Sequence, residues 1–303
     1  MPFANAVISN RKKAKLFAAI SPLKRGSKGT MLIDKGLFEY GYFNACFLEN
    51  MMSLMVYALA KGYTPYLKLK DRKEGWSDWD TFFEQPFSVP ETEPDCICDV
   101  EQGFFHPQFD TPYRSSDLRL WCKVYHRLVR LNERTRNYVD QEYQELFEGV
   151  DGQKHRTLGV ICRGTDYVKL KPMGHPVQPT PEQVIARAKV LLDQYQLERV
   201  YLATEEYAIY EKFEKAFPGL ILVNKRQYYD EVFNNHDMTY VYEVQFDRED
   251  DLYLKGLEYL SSLQLLSRCN VLLGGNCGGA CAALYMNNRK YEHVELFNLG
   301  LYP

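Results

Sequence analysis

Over the second half of the chain, short apolar runs alternate in a regular order with longer segments that have apolar residues at helical spacing. Short apolar runs predict strands, and the longer segments between them, with apolar residues at helical spacing, predict helices. The predicted strands are 158–162, 199–203, 220–223 and 271–274, and the predicted helices are 181–195, 207–216 and 252–267. This βαβ order predicts an α/β domain with a largely parallel, doubly wound sheet, in which ligands bind outside the carboxyl ends of the strands.

The first half has a less regular pattern. A glycine-punctuated turn at 36–44 leads into a predicted helix that ends at Gly62, and a predicted strand at 63–69 completes one α/β layer. The spacing at 117–147 predicts one or two helices. The Trp, Phe, Pro and acidic content of 71–111 predicts an irregular insertion or cleft wall.

A polar, turn-rich stretch at 149–155 predicts the domain boundary. It separates an N-terminal α/β domain, 1–150, from a C-terminal Rossmann-like domain, 151–303, that would hold the ligand. Residues 1–30 carry lysine and arginine but no acidic residue. They are either a solvated basic arm or a peripheral contact with anionic lipid at the inner face of a membrane.

Composition narrows the class of protein. The chain of 303 residues is 46% hydrophobic and has a formal net charge of -3, so it can bury a large core but has no basic field for nucleic acid. The eight cysteines lie mostly in apolar runs without paired CxxC units, which predicts free thiols in a reducing cytoplasm. No signal-peptide segment is present, and Glu49 and Asn50 interrupt the most apolar predicted helix, so we expect a soluble cytoplasmic protein.

The exit of the strand at 158–162 carries residues suited to an anionic ligand. Arg163 follows it directly, with Thr165 and Asp166 close behind. A guanidinium suits phosphate because it forms two fixed, charge-assisted hydrogen bonds to phosphate oxygens. The alternative for this segment is a strand-end turn with an Arg–Asp surface pair.

Two further strand exits are less specific. Thr204, Glu205 and Glu206 follow the strand at 199–203, and capping of the next helix, with Thr204 as N-cap, is an alternative to a ligand role. Residues 274–279 run through glycines into a small-residue helix. Backbone N–H groups at such a helix start bind anions, although close packing of the helix on the sheet also explains the glycines.

Two patterns that suggest metal binding are set aside. Asp78 and Asp80 have DxD spacing, but they lie in a polar, Trp-rich region instead of at a strand end. The six histidines are scattered, without the HExxH spacing that places two ligands on one helix face. We therefore expect neither a metal nor another cofactor.

In order and spacing, four segments resemble the fucosyltransferase superfamily, which includes the α1,6-fucosyltransferases of core and nodulation type and, more distantly, the protein O-fucosyltransferases. Residues 162–167 resemble the family's Arg-Arg-Thr-Asp-Lys segment, and 175–176 resembles a His-Pro that precedes the next helix. Residues 199–206 are similar to the family's Arg-Val-Tyr-Leu-Ala-Thr-Asp-Asp. Residues 254–273 resemble its helix and strand before the donor-binding turn.

The resemblance implies a GT-B architecture, two Rossmann-like α/β domains facing a cleft, with GDP-fucose as donor and inverting, metal-independent catalysis. In that scheme Arg163 stabilises the diphosphate leaving group, and Asp166, Glu205 and His175 are candidates for the other catalytic roles. The resemblance also implies a set of donor-binding residues, of which Gly41 and Asn44 come from a looser N-terminal match to a Gly-Phe-Asn turn. The full set is Gly41, Asn44, Arg163, Thr165, Thr204, Glu206, Ser262, Asn276, Cys277, Gly278 and Gly279.

The sequence departs from the family pattern where the donor and the general base are concerned. Gly164 stands where the α1,6 enzymes have a second arginine, Tyr167 replaces a lysine, and Lys171 falls near a family glutamate that is a candidate base. Ser262 falls where a family aspartate reads guanine. The expected partners are a nucleotide-sugar donor and a glycan or lipid-linked glycan acceptor. The alternatives are a non-catalytic protein that binds sugar nucleotides or glycans and a transferase for another nucleotide sugar.

Overall fold

The structure is a computed structural model, and it contains two compact units, Met1–Arg136 and Asn137–Pro303. The residues that it describes are 26–35, 42–70, 77–101, 115–149, 152–235, 238 and 240–303. Each unit contains a parallel β-sheet with helices beside it, so the α/β class predicted from the sequence is confirmed.

The N-terminal unit is built on three short strands, which pair in parallel in the order β2-β1-β3. These strands are β1 (Thr30–Ile33), β2 (Thr64–Leu67) and β3 (Cys96–Ile97). The helices of this unit are α1 (Ala45–Lys61), α2 (Trp79–Phe82) and α3 (Ser115–Leu128), and α4 (Glu133–Phe147) begins in it. The boundary between the units falls inside α4.

Helix α1 forms where apolar residues recur at helical spacing between two capped ends. The Asn44 side chain accepts a hydrogen bond from Phe47 N at 2.9 Å, and Gly62 ends the helix in the left-handed region at φ 91°. Met51 and Leu54 are fully buried along one face. Both the helix and its predicted end are confirmed.

The helical pattern at 117–147 forms two helices. The break lies at Asn132, whose side chain accepts a hydrogen bond from Thr135 N at 3.0 Å and so caps the start of α4. Asn132 N donates to Phe82 O at 3.0 Å, which ties the break to α2. Trp79, Phe82 and Phe83, from the stretch predicted to be irregular, are buried in the core, and Trp79 stacks on Phe83 with ring centroids 4.5 Å apart.

The C-terminal unit contains five parallel strands in the order β6-β5-β4-β7-β8. The strands are β4 (Thr157–Ile161), β5 (Arg199–Ala203), β6 (Ile221–Leu222), β7 (Val271–Gly275) and β8 (His293–Phe297). The helices are α5 (Thr165–Leu170), α6 (Pro181–Tyr195), α7 (Tyr207–Ala216), α8 (Asp230–Asn235), α9 (Asp251–Leu266) and α10 (Gly278–Asn287), and a 3-10 turn spans Val241–Glu243.

Side chains that alternate along β4 separate the two faces of this sheet. Leu158 is buried on one face with Val184 of α6 and Phe213 of α7. Gly159 lies on the other face, where a Cβ atom would meet Leu266 of α9 at 2.9 Å. Helices therefore cover both faces, as predicted for a doubly wound sheet. Burial of each large apolar side chain stabilises the fold by roughly 1.5–3 kcal/mol.

Two predicted helices match α6 and α7 in their bounds, whereas β8 was not predicted. Every residue of β8 is only partly buried, because β8 pairs on one side alone at the edge of the sheet. A strand of this kind lacks the continuous apolar run that identified β4, β5 and β7.

The structure also bears on cysteine chemistry and on membrane insertion. All eight cysteines lie within the described residues, and each is a free thiol, as predicted. Within the same residues, no helix combines the length and the apolar character that a bilayer crossing requires.

Candidate functional site

The order of the strands reverses at β4. The strands β5 and β6 lie on one side of β4, and β7 and β8 lie on the other, so the switch point of the sheet is at the carboxyl ends of β4 and β7. Arg163 follows β4 after Cys162, and residues 276–279 follow β7. Both segments thus lie at the edge where doubly wound sheets bind ligands.

Arg163 lies at the centre of a buried polar cluster. Its Nε donates to Glu205 Oε1 at 2.9 Å, and its Nη2 donates to Asp166 Oδ1 at 3.1 Å. The guanidinium carbon is 4.9 Å from the centroid of the Tyr167 ring. The side chain of Arg163 is only 18% exposed, and those of its two carboxylate partners are 12% and 16% exposed. An Arg–Asp pair does form, but it is buried and shared with a second carboxylate, unlike a surface pair.

Glu205 joins three groups from the segment that follows β4. Its Oε1 accepts from Arg163, from the Thr165 hydroxyl at 3.0 Å and from Gly164 N at 3.3 Å. Burial favours the neutral acid, but the positive charges of Arg163 and Arg226 outweigh burial and lower the pKa of Glu205. Glu205 is therefore a carboxylate at neutral pH.

The same carboxylates keep Arg163 charged. Burial alone would lower the pKa of Arg163, yet Glu205 and Asp166 outweigh burial and hold it well above its ordinary value. The cluster thus presents a fixed, charged guanidinium at the switch point of the sheet.

Glu206 holds the start of α5. Its carboxylate accepts a hydrogen bond from Thr165 N and lies where a Cβ atom on Gly164 would have to be. Thr165 has φ 45°, in the left-handed region that β-branched residues rarely adopt. Burial raises the pKa of Glu206, and Glu205 and Asp230 raise it further, against the hydrogen bond from Thr165 N. Hydrogen bonds to both glutamates therefore fix a strained turn beside Arg163.

The predicted capping role of Thr204 is wrong. The residue at the N-cap position of α7 is Glu206, and its side chain makes no capping hydrogen bond. Asp230 caps the helix instead, because its carboxylate accepts from Tyr207 N at 3.0 Å and from Ala208 N at 3.1 Å. Glu206 is therefore available to hold Thr165, while Thr204, buried, accepts from Glu206 N at 3.3 Å.

His175 is connected to the cluster through Tyr167. The Tyr167 hydroxyl lies 3.2 Å from His175 Nδ1, and the ring of the same tyrosine lies beside Arg163. Burial lowers the pKa of His175, although the negative charge of Asp166 acts in the opposite direction. His175 is therefore a neutral imidazole at neutral pH. Val241 N donates to Asp166 Oδ2 at 3.3 Å, which brings the 3-10 turn to the same place.

The turn after β7 has a packing role that accounts for part of its glycine content. Helix α10 begins at Gly278. A Cβ atom on Gly279 would lie 2.8 Å from Ile161 Cδ1, so glycine permits α10 to approach β4. Cys277 is buried, and burial raises the pKa of its thiol while Arg163 acts to lower it. The turn therefore lies within electrostatic range of Arg163.

Two buried amide oxygens beside this turn have no hydrogen-bond partner among the residues that the structure describes. Gln178 Nε2 donates to Asn276 O at 2.9 Å and to Pro176 O at 3.1 Å, which leaves Gln178 Oε1 unpaired, and Asn276 Oδ1 is also unpaired. Buried acceptors of this kind are places where an ordered water or a hydroxyl group binds. Gln178 was not identified from the sequence, because it follows no strand and belongs to no motif.

Three other predicted donor-binding residues belong to different parts of the chain. Asn44 is the N-cap of α1 in the N-terminal unit, and Gly41 falls outside the described residues. Ser262 is buried in α9, where its carbonyl accepts from the Tyr201 hydroxyl at 3.4 Å.

Arg226 was also missed, although it lies shortly after the predicted strand at 220–223. It belongs to the loop between β6 and α8. Burial raises the pKa of Glu205, Arg163 lowers it, and the positive charge of Arg226 lowers it further. A search of strand exits for basic residues, extended by three positions, would have found it.

Asp78 and Asp80, set aside above as a metal motif, have structural partners. Asp78 caps α2 and accepts a hydrogen bond from Leu69 N at 3.2 Å. Asp80 accepts from Gln85 Nε2 at 2.7 Å. Across the described ranges, no three His, Cys, Asp or Glu side chains are grouped so that they could hold a metal ion.

Comparison with known proteins shows what this chain is similar to. Neither a protein-family model nor a curated protein matches its sequence. The crystal structure of POFUT1 in complex with GDP-fucose matches 89% of this chain and 97% of its own, with a TM-score of 0.51 and 10% identity. The fucosyltransferase NodZ from Bradyrhizobium matches 91% of this chain and 96% of its own, with a TM-score of 0.50 and 14% identity. The chain therefore has the fucosyltransferase-like, GT-B type α/β fold expected from the sequence.

Proposed function

We propose that this protein is an inverting, metal-independent glycosyltransferase that transfers fucose from GDP-fucose to a hydroxyl group of a glycan acceptor. The observation that carries the proposal is the position of Arg163, buried, charged and fixed by two carboxylates at the switch point of the sheet. Two further observations support it. The fold is shared with POFUT1, whose crystal structure contains GDP-fucose, and the unpaired oxygens of Gln178 and Asn276 suit a ligand rich in hydroxyl groups.

In the proposed reaction the acceptor oxygen forms a bond to the anomeric carbon of fucose while the bond from that carbon to the β-phosphate oxygen breaks. GDP leaves with the bonding electron pair, and Arg163 stabilises the negative charge that develops on it. The N–H groups at the start of α10 add a positive partial charge beside the same phosphates. Attack from the face opposite the leaving group inverts the anomeric centre.

The proton of the acceptor hydroxyl must pass to a base, and His175 is the candidate that the protonation states favour. Its imidazole is neutral at neutral pH and so can accept a proton. By contrast, Asp166 and Glu205 each accept hydrogen bonds from Arg163. Those bonds make the two carboxylates better suited to hold the guanidinium than to take a proton.

The same engagement of the carboxylates favours one alternative, a non-catalytic protein that binds sugar nucleotides or glycans. Ser262 supports a second alternative, a transferase for another nucleotide sugar, because it is buried and replaces the aspartate expected to read guanine. The proposed acceptor is a glycan or lipid-linked glycan in the cytoplasm. Most of the basic arm proposed to contact a membrane surface, residues 1–25, lies outside the described residues.

The proposal is tested by isothermal titration calorimetry with GDP, GDP-fucose, UDP and UDP-glucose, followed by a hydrolysis and transfer assay on the donor that binds. We expect GDP and GDP-fucose to bind, and Arg163→Ala to weaken both by at least tenfold. Arg289→Ala, an exposed arginine just after α10, is the matched control and should bind as the wild type does.

Each result separates one part of the proposal from the others. Binding of UDP without GDP would contradict the donor assignment while leaving a transferase in place. Binding of GDP that is unaffected by Arg163→Ala would contradict the role of Arg163. Binding of GDP-fucose without hydrolysis or transfer to any tested glycan would favour the non-catalytic alternative.

A further inference from the structure

The guanidinium of Arg226 has no hydrogen-bond partner among the described residues, whereas that of Arg163 at the same edge of the sheet is bound by two carboxylates. Its Nε is buried and has no hydrogen bond, and the whole side chain makes no hydrogen bond or ion pair within the described part of the chain. The ring of Tyr228 lies beside it, with the centroid 5.9 Å from the guanidinium carbon. This distance is at the outer limit of about 6 Å for a cation–π contact. A buried, unpaired donor on a charged group is costly, so Arg226 requires an explanation.

The backbone around Arg226 is held in place even though its side chain is not. On one side Lys225 N donates to Glu142 Oε1 at 2.8 Å, and on the other Gln227 N donates to Glu258 Oε2 at 3.3 Å. The same loop reaches the main cluster, because Tyr229 N donates to Glu205 O at 2.8 Å. Arg226 is thus presented on a fixed loop at the carboxyl edge of the sheet, next to the residue that Arg163 binds.

The charges of the cluster show why a second cation is needed. Arg163 and its two partners, Glu205 and Asp166, have one positive and two negative charges, a formal sum of -1. A nucleoside diphosphate is itself anionic and would be repelled by that sum, whereas Arg226 brings the total of the four groups to zero. Two of the donor nitrogens of Arg163 are also already used, so Arg226 has the larger unused donor capacity.

From these observations we propose that Arg226 is a second phosphate-binding residue of this site, which takes an oxygen of a bound diphosphate while Arg163 is held by its carboxylates. This inference rests on the proposed function, since it names a further contact for the same nucleotide. It also explains the unpaired Nε, because a site built for an anion leaves its donors unpaired until the anion binds.

The inference is tested by calorimetric titration of the full chain with GDP, guanosine and inorganic pyrophosphate. The variants are Arg226→Gln, Arg226→Lys and the control Arg289→Gln. We expect Arg226→Gln to weaken GDP and pyrophosphate by tenfold or more and to leave guanosine unchanged. Arg226→Lys, which keeps the charge but not the planar fork, should give an intermediate loss, and the control should show none.

A ligand-free measurement distinguishes a binding role from a structural one. Since Arg226 makes no hydrogen bond or ion pair with the described residues and attracts Glu205 only at longer range, the melting temperature of Arg226→Gln without ligand should lie close to that of the wild type. A melting temperature several degrees lower would contradict the inference, as would GDP and pyrophosphate binding equal to that of the wild type. If the wild type binds pyrophosphate but not GDP, the proposed function is rejected. The role of Arg226 is then decided by whether Arg226→Gln weakens pyrophosphate binding. Wild-type binding of neither would reject both.

Discussion

The carboxylate of Glu206 occupies the space into which a side chain at position 164 would extend, so Gly164 and Glu206 depend on each other. This contact explains the most conspicuous departure from the fucosyltransferase pattern, the absence of a second arginine after Arg163. A glutamate that has reached in to hold Thr165 N leaves no room for one.

Gly164→Ala should destabilise the protein by about 1–3 kcal/mol, because its methyl group overlaps the Glu206 carboxylate and displaces it from Thr165. In the background of Glu206→Ala the same substitution should cost much less, since the overlap is gone. Chemical denaturation of the two single variants and the double variant measures this coupling. Simple additivity of the two costs would show that the contact does not constrain position 164.

Glu205→Gln should destabilise the protein by about 3 kcal/mol at neutral pH, because it removes the charge that compensates buried Arg163. The pKa of Glu205 is lowered in the folded state, so its contribution is present above the unfolded pKa of about 4.3 and is lost as the pH falls through the folded value. The variant should therefore lose less stability on acidification than the wild type. Glu182→Gln, in the exposed pair with Lys212, is the control and should change stability by less than about 0.5 kcal/mol.

Glu49→Gln should stabilise the protein at neutral pH. Burial raises the pKa of Glu49 well above its ordinary value, and Glu49 Oε1 has no hydrogen-bond partner within the described part of the chain, so ionisation opposes folding. With a raised folded pKa, the penalty begins above the unfolded pKa of about 4.3 and grows by about 1.4 kcal/mol per pH unit until the folded pKa is reached. Denaturation at several pH values should show no gain at pH 4 and a clear gain at pH 7. The exposed Glu91→Gln should give no such trend.

If His175 is the general base, His175→Gln should lower the transfer rate by about 10²–10⁴-fold. The rate of the wild type should fall on acidification below the ordinary histidine pKa of about 6.5, since the pKa of His175 is lowered by burial. Tyr167→Phe is the matched variant, because it keeps the ring beside Arg163 and removes the hydroxyl 3.2 Å from Nδ1. If the rate of His175→Gln fell on acidification in the same way as that of the wild type, the fall would be assigned to another group.

The fold was predictable where local sequence signals decide the structure. Helix α6 begins at Pro181 after a capping box formed by Thr180 and Gln183, all within four residues of sequence. The start of α7 was also located, yet Thr204 was the cap considered for it, because Asp230, which caps the helix, lies 23 residues away from Tyr207. Distant partners of this kind leave no local signal.

The site shows the same division between local and distant contacts. The pairing of Arg163 with Asp166, three residues apart, was foreseeable, and the shared edge of β4 and β5 placed Glu205 nearby. The sequence does not reveal which nitrogen of Arg163 each carboxylate binds, or that Glu206 holds Thr165 in a left-handed conformation. Both features depend on the register and spacing of β4 and β5, and the two residues of the Arg163–Glu205 bond at their ends are 42 residues apart in the chain. The unpaired state of Arg226 depends on every neighbour at once, so no sequence pattern reports it.

The pairing of β4 with β7 has a consequence for the synthesis of this protein. Thr157 and Asn270, which are hydrogen-bonded at the start of these strands, are 113 residues apart in the chain. While a ribosome makes the intervening segment, β4 can pair with β5, but its other edge has no strand to bind. The crevice at the switch point is thus assembled late, after α9 has been made and β7 has emerged, and closing so long a loop makes this a slow step in folding.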